Sequence, residues 1–328
     1  MTSDVLPDFN DVLSAAERVR GVARETPVLT HDALDEMAGG SLFIKAESLQ
    51  VTGSFKIRGA MNRLSQIPAG QRAAGVVAFS SGNHAQGVAR AARLLGMPAL
   101  IVMPSDAPQI KVAGVEADGG IVRLYDRETE SREEIAAQVA AERGAVVVPS
   151  FDDKDIIAGQ GTAGLEFARQ MEQAGTPLDH LICCAGGGGL ITGVALAMEH
   201  LSPDTRIWAA EPAGHDDWAR SLEAGDIRAN APGTRSICDA ILTPAPGKIT
   251  FALGKRLLSG GLVASDEEVR DAMRAAFRYL KIVAEPGGAA ALAAAIKGLP
   301  DKMRGKRIGV LVTGGNVDAE QFAAVLTR

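Results

Sequence analysis

Cysteine is scarce in this chain: Cys183, Cys184 and Cys238 are the only three among 328 residues. An odd number without CxxC spacing speaks against a disulfide framework or a thiolate zinc site, and fits buried thiols in a reducing compartment. Long apolar runs are missing as well. The Ala-rich stretches are broken by Arg, Glu or Gly before the roughly 18 apolar residues of a membrane span accumulate. Residues 1–10 carry Asp4, Pro7 and Asp8 and no basic-then-apolar order, so no secretory signal is expected. Nor is there a basic tract. The 34 Lys and Arg are scattered and outnumbered by 40 Asp and Glu, giving a net charge of −6, which argues against nucleic acid as the main partner. A soluble, cytoplasmic protein is expected, with room for a local positive site that binds a small anion.

What the chain does have is apolar content, 46% of its residues, enough for one large or two ordinary domains. Short Val/Ile/Leu runs at 41–46, 75–79, 99–103, 120–124, 145–148, 180–184, 206–210 and 307–312 are predicted as strands. They are apolar almost throughout, as in a parallel sheet covered on both faces. Helices are predicted at 84–95, 132–143, 162–173, 190–200, 266–280 and 289–296. Such alternation indicates α/β layering. Residues 232–246, richer in Pro, Gly and Thr, are predicted as a long loop, and 73–151 as a smaller domain set into a larger one.

Three segments that follow or precede strands carry chemistry, where ligands bind in open α/β sheets. After the strand at 180–184 come Gly186, Gly187, Gly188 and Gly189, then a helix. Four residues without Cβ let backbone N–H groups converge on an anion at a helix N-terminus, so phosphate binding is expected. A plain strand-to-helix turn would need only one glycine. By contrast, Gly159-Gln-Gly161-Thr-Ala-Gly164 fits the G-x-G-x-x-G dinucleotide pattern but follows no strand directly and lacks a well-placed acidic residue. Close packing at a helix start explains it better. The second segment, Ser80-Ser81-Gly82-Asn83-His84-Ala85, groups hydroxyl, amide and imidazole donors at a helix mouth and could wrap a substrate carboxylate. Helix capping by Ser80 or Ser81 is the simpler alternative, though it leaves Asn83 and His84 unexplained. The third is Lys56, between Phe55 and Ile57 after a Gly-Ser turn. Most lysines are solvated surface charges, but one held among apolar neighbours has a lowered pKa and attacks aldehydes.

Together, residues 54–60 (SFKIRGA), 80–85 (SSGNHA), 186–189 (GGGG) and 313–316 (TGGN) resemble, in order and spacing, the threonine dehydratase and serine racemase group of pyridoxal 5′-phosphate (PLP) enzymes. The likeness runs from Thr26-Pro27 to Asn316. It implies the tryptophan-synthase-β-like fold of two open, twisted, mostly parallel sheets flanked by helices. A large PLP-binding domain would comprise 1–72 and 152–328, and a small one 73–151.

The resemblance also assigns roles. Lys56 would hold PLP through its amine and act as general base at Cα. Phe55 would pack on the ring, Asn83 would bond the phenolic oxygen, Gly186–Gly189 would cradle the phosphate and Thr313 would face the ring nitrogen. A hydroxyl there, instead of a carboxylate, weakens the ring as an electron sink and favours β-elimination. Ala240 replaces a glycine common on the other ring face. Ser80, Ser81, Gly82, Asn83, His84 and Ala85 would bind substrate, with Ser81 also placed to exchange a proton on the face opposite Lys56. Glu211 and Asp217, with the carbonyl of His215, match positions where relatives hold Mg²⁺ or Ca²⁺. Glu285 matches a family motif near the cofactor without a definite role.

The expected activity is loss of water and ammonia from L-threonine or L-serine. The alternatives are a 3-hydroxyaspartate or hydroxyectoine-pathway dehydratase, or a serine racemase. A second substrate carboxylate would require an arginine in the pocket, and the sequence does not place Arg127, Arg132 or Arg235. The chain ends twelve residues after Asn316, without the regulatory domain of isoleucine-controlled relatives, so a catabolic role is expected. A homodimer is the usual state in the group. Outside it, an NAD-dependent dehydrogenase resting on residues 159–164 or an inactive binding protein are the competing classes.

Overall fold

A computed structural model describes residues 6–80 and 82–327. Ser81, assigned above to carboxylate binding and proton exchange, lies outside the described residues. The strands are β1 (Val28–Leu29), β2 (Ser41–Ala46), β3 (Val76–Phe79), β4 (Ala99–Pro104), β5 (Ile121–Tyr125), β6 (Val146–Val147), β7 (His180–Cys184), β8 (Arg206–Pro212), β9 (Leu258–Ala264) and β10 (Arg307–Val312). They form two sheets, β1-β2-β10-β7-β8-β9 and β5-β4-β3-β6. Every pairing is parallel except that of β1 with β2. This is the expected pair of mostly parallel sheets.

Helices cover both faces, which is why β4 and β7 are buried at every residue. The helix Pro286–Ile296, with Pro at its first position and Ala through its body, is buried at every residue against the six-stranded sheet. Its small side chains allow close approach: a Cβ on Gly288 would collide with the Gly314 carbonyl.

The helix predicted to start at 162 starts at Lys154, where Asp153 accepts N–H bonds from Asp155 and Ile156, both at 2.9 Å. Gly159, Gly161 and Gly164 therefore lie in its interior. A Cβ on Gly159 would stand 2.6 Å from the Gly59 Cα, and one on Gly164 2.8 Å from the Val194 Cα. The G-x-G-x-x-G pattern is thus a packing surface for two crossing helices, Lys56–Ser65 and Gly189–Leu201. Strand β9 had no clear signal because Gly260 and Gly261 interrupt it. Both are required by neighbours, since a Cβ at Gly261 would stand 2.5 Å from that of Ala219.

Candidate active site

The C-terminal ends of strands from both sheets open on one cleft of about 430 Å³, the usual ligand position in open α/β folds. Lys56 lies at its base, at the start of the helix Lys56–Ser65. The turn that delivers it is strained: Thr52 is left-handed at φ 67°, rare for a β-branched residue, and Gly53 follows at φ 71°. The strain is held by the 313–316 segment. The Phe55 N–H donates to the Thr313 carbonyl (3.2 Å), the Gly315 N–H to the Gly53 carbonyl (2.9 Å) and Asn316 Nδ2 to the Thr52 carbonyl (2.7 Å). The first and last motifs of the sequence are thereby brought together.

Lys56 Nζ donates to the Ser150 carbonyl at 3.1 Å and stands 5.1 Å from the Phe55 ring centroid. Burial lowers its amine to about 8, so an appreciable neutral fraction exists near physiological pH. Two residues on, Arg58 anchors the same helix in a buried ionic cluster. It donates to both oxygens of Glu47 at 2.8 and 2.7 Å and to Glu166 at 3.0 Å, while buried Lys45 holds the other oxygen of Glu166.

Gly186, Gly187, Gly188 and Gly189 all line the cleft. Gly188 has φ 98°, and the helix Gly189–Leu201 starts at once. The loop has no room for side chains: a Cβ on Gly187 would enter the ring of Phe151, which also lines the cleft, and one on Gly188 the ring of Trp218, which does not. The loop carbonyls are taken, that of Gly186 by Trp218 Nε1 (2.6 Å) and that of Gly187 by Thr250 Oγ1 (2.6 Å). The N–H groups of the loop and of the helix's first turn are the ones left for a ligand.

Ser80, Gly82, Asn83 and His84 line the opposite wall. Gly82 is the N-cap of the helix Asn83–Leu94 and supplies no side-chain cap. Ser80 Oγ accepts the Gly82 N–H, at 3.1 Å. Among the described residues no side chain caps the first turn, so Ser80 is not its cap; Ser81, the other serine of that reading, lies outside them. The Ala85 methyl is fully buried in the core beneath the four-stranded sheet, and the residue is not among those lining the cleft.

His84 is buried and close to the charge of Lys56; burial chiefly, then that charge, pushes it down to about 3, so it is neutral. Since its Nε2 lies 3.2 Å from the Val148 carbonyl, that nitrogen carries the proton. Asn83 bonds Glu285 through Nδ2 and accepts from Asn316 Nδ2 (2.8 Å). Glu285 is fully buried, and Lys111, 1% exposed, bridges it (3.1 Å) to Asp239 (2.7 Å). Burial raises Glu285, partly offset by Lys111. No motif marked Lys111, an ordinary-looking helix lysine; only its burial under Gly82 reveals it.

Ala240 and Thr313 also line the cleft, with Thr313 Oγ1 3.2 Å from Cys184 Sγ. Of the three arginines the sequence left unplaced, Arg132 lines the cleft, whereas Arg127 pairs with Asp106 on the surface and Arg235 does not line it. The Arg132 guanidinium sits over the Phe79 ring at 5.4 Å and bonds the exposed Glu133 at 2.8 Å through Nε.

Glu211 and Asp217 lie apart from the cleft, both buried. Glu211 accepts the N–H groups of Trp218 (2.8 Å) and Ala219 (2.9 Å), capping the helix Asp217–Ala224. Burial raises Glu211 to about 8 and Asp217 to about 6. Asp217 Oδ1 accepts from Asn230 at 2.6 Å, while its Oδ2 is buried without a partner. The His215 ring bonds Thr234 at 3.3 Å. Among the described residues, no three ligating side chains cluster to hold a metal; the expected set needs only two, plus a carbonyl.

The family described as "Pyridoxal-phosphate dependent enzyme" matches residues 19–314. The chain belongs to this family. As a pyridoxal-phosphate dependent enzyme it is 48% identical to the L-threo-3-hydroxyaspartate ammonia-lyase of Pseudomonas sp., over 98% of this chain and 99% of that one. It is 42% identical to the serine racemase of Schizosaccharomyces pombe, over 99% and 98%. The solved structure of maize serine racemase superposes with a TM-score of 0.91 at 38% identity, covering 98% of each chain. PLP is therefore the cofactor, and a nucleotide-dependent dehydrogenase is excluded as the family. No described helix is long and apolar enough to cross a membrane.

Proposed function

We propose that this enzyme is an ammonia-lyase for a 3-hydroxyaspartate, converting it to oxaloacetate and ammonia by β-elimination of water and hydrolysis of the resulting enamine. The observation that carries this reading is Arg132, the one arginine among the described residues lining the cleft. Its own partner, Glu133, is more than half exposed, and such a pair is weak and exchangeable. A substrate carboxylate at Cβ could take Glu133's place and bind in two-pronged fashion. The likeness to the Pseudomonas ammonia-lyase supports the same substrate. The threonine or serine preference suggested by the motifs is set aside, because neither substrate has a second carboxylate for this guanidinium.

The remaining roles are those the resemblance assigns to residues that line the cleft. Gly186–Gly189 and the first turn of the helix Gly189–Leu201 would bind the cofactor phosphate, Phe55 would pack against its ring, Asn83 would meet its phenolic oxygen and Thr313 its ring nitrogen. Bound PLP supplies an aldehyde for the substrate amine and a ring that takes up the electron pair left at Cα. Ser80, Gly82 and the N-terminus of the helix Asn83–Leu94 hold the α-carboxylate. Lys56 Nζ takes the Cα proton as general base, and neutral His84 adds no competing charge beside it. Residues 73–151 act as the smaller domain bearing the substrate wall.

Glu211 and Asp217 fit a divalent cation. Two buried carboxyls raised by burial, one with an orphaned oxygen, are the donors a hard cation completes, with the His215 carbonyl as third. Bound there, the cation neutralises the pair.

Release of 2-oxo acid from L-threo- and erythro-3-hydroxyaspartate, L-threonine, L-serine and D-serine tests the reading. The hydroxyaspartates are expected to lead in kcat/KM; higher values for L-threonine or L-serine would overturn it.

A further inference from the structure

Trp218 is fully buried, and no motif marked it. It meets the glycine loop in two ways. Its indole Nε1 donates to the Gly186 carbonyl at 2.6 Å, and its ring occupies the place a Cβ on Gly188 would need. It is in turn fixed from behind. Its N–H donates to Glu211 Oε1 at 2.8 Å, which ties it to the end of β8, and Phe251 packs against it with ring centroids 6.1 Å apart. A loop of four glycines has the largest backbone freedom to lose and no side chains of its own to stop it from wandering. Something outside the loop has to choose its conformation.

We propose that Trp218 is the positioning residue of the phosphate cradle. By holding the Gly186 carbonyl and blocking the space behind Gly188, it turns the loop's N–H groups towards the cleft before any anion arrives. Glu211 transmits the rigidity of the sheet to it. This rests on the reading of residues 186–189 as the phosphate site. The indole never touches the cofactor, so its contribution concerns the phosphate and not the aldehyde or the ring.

That distinction supplies the test. Trp218→Phe keeps an aromatic ring but removes the donor. In full-length protein stripped of cofactor, dissociation constants are measured for PLP and for pyridoxal, which lacks the phosphate. The variant is expected to bind PLP about tenfold more weakly, the scale of one lost buried hydrogen bond, with pyridoxal changed by less than about twofold. Unchanged PLP affinity, or equal weakening of both ligands, would overturn the proposal. Wild-type protein that binds pyridoxal as tightly as PLP would instead remove the phosphate assignment of the loop, and the inference with it. Should the variant not fold, Trp208→Phe leaves Trp218 as the sole indole of a chain that has two. Its emission is expected to change as inorganic phosphate is titrated into the cofactor-free protein; indifference to phosphate would count against the proposal equally.

Discussion

On the six-stranded side of the cleft, the functional groups are set by backbone hydrogen bonds and buried neighbours: Lys56 by the Thr52–Phe55 turn zipped to residues 313–316, the glycine loop by Trp218, Thr250 and Phe151. On the four-stranded side, Ser80 is half-buried and the Arg132 side chain is 35% exposed, paired only with a neighbour that is itself 58% exposed. The first side has little room for change. On the second, Gly82, Asn83 and His84 are as tightly held, and the freedom to vary lies at the more exposed positions such as Ser80 and Arg132, which fits a family whose members carry different substrate names on one scaffold.

The largest break in this comparison is Lys56→Ala. Turnover of every substrate should fall by a thousandfold or more, on the order seen when a covalent nucleophile and base is removed, and the protein should lack the visible absorbance band, bleached by borohydride, that a lysine amine forms with the PLP aldehyde. Substrate ratios have no meaning in such a variant. Arg132→Ala should do the reverse: kcat/KM for 3-hydroxyaspartate falls by about 30–100-fold, the value of a charge-assisted pair, while that for L-serine stays within about threefold. An equal loss on both substrates would erase the division of labour between the walls.

The third prediction concerns pH. On the proposed reading the neutral form of Lys56 captures the aldehyde, and burial lowers its pKa to about 8. The rate at which cofactor-free protein gains the visible band should therefore rise about tenfold per pH unit below 8 and level off above it. A rate that still climbs between pH 9 and 10 would mean an ordinary, solvated lysine. The smallest effect is expected from the acid pair. Chelation should lower Tm by about 3–6 °C and Mg²⁺ should restore it, with the hydroxyaspartate-to-serine ratio unmoved; an unchanged Tm would leave Glu211 as a helix cap alone.

The layering was legible because fully covered parallel strands are written as unbroken apolar runs, and the cofactor side because it depends on residue types with few other uses: a lysine between apolar neighbours and four consecutive glycines. What escaped was written in contacts distant in sequence. Lys111 and Trp218 look like ordinary helix residues until Asp239, Glu285 and Gly186 fold against them. Arg132 opens its helix no differently from any surface arginine, so the sequence could name it as a candidate for a second carboxylate but could not place it in the cleft. The helix from Lys154 was cut short because its glycines were read as the beginning of an element instead of the crossing point of two others.

The ionic cluster around Arg58 has a consequence for genetics. Glu47, Lys45 and Glu166 lie behind the helix of Lys56, away from the reaction. Removing any one leaves an uncompensated buried charge, an error that commonly costs about 3–5 kcal/mol. The first structure to yield would be the turn that presents the amine. Screened only for turnover, a lesion at residue 47 or 166 would pass for a lesion in the chemistry.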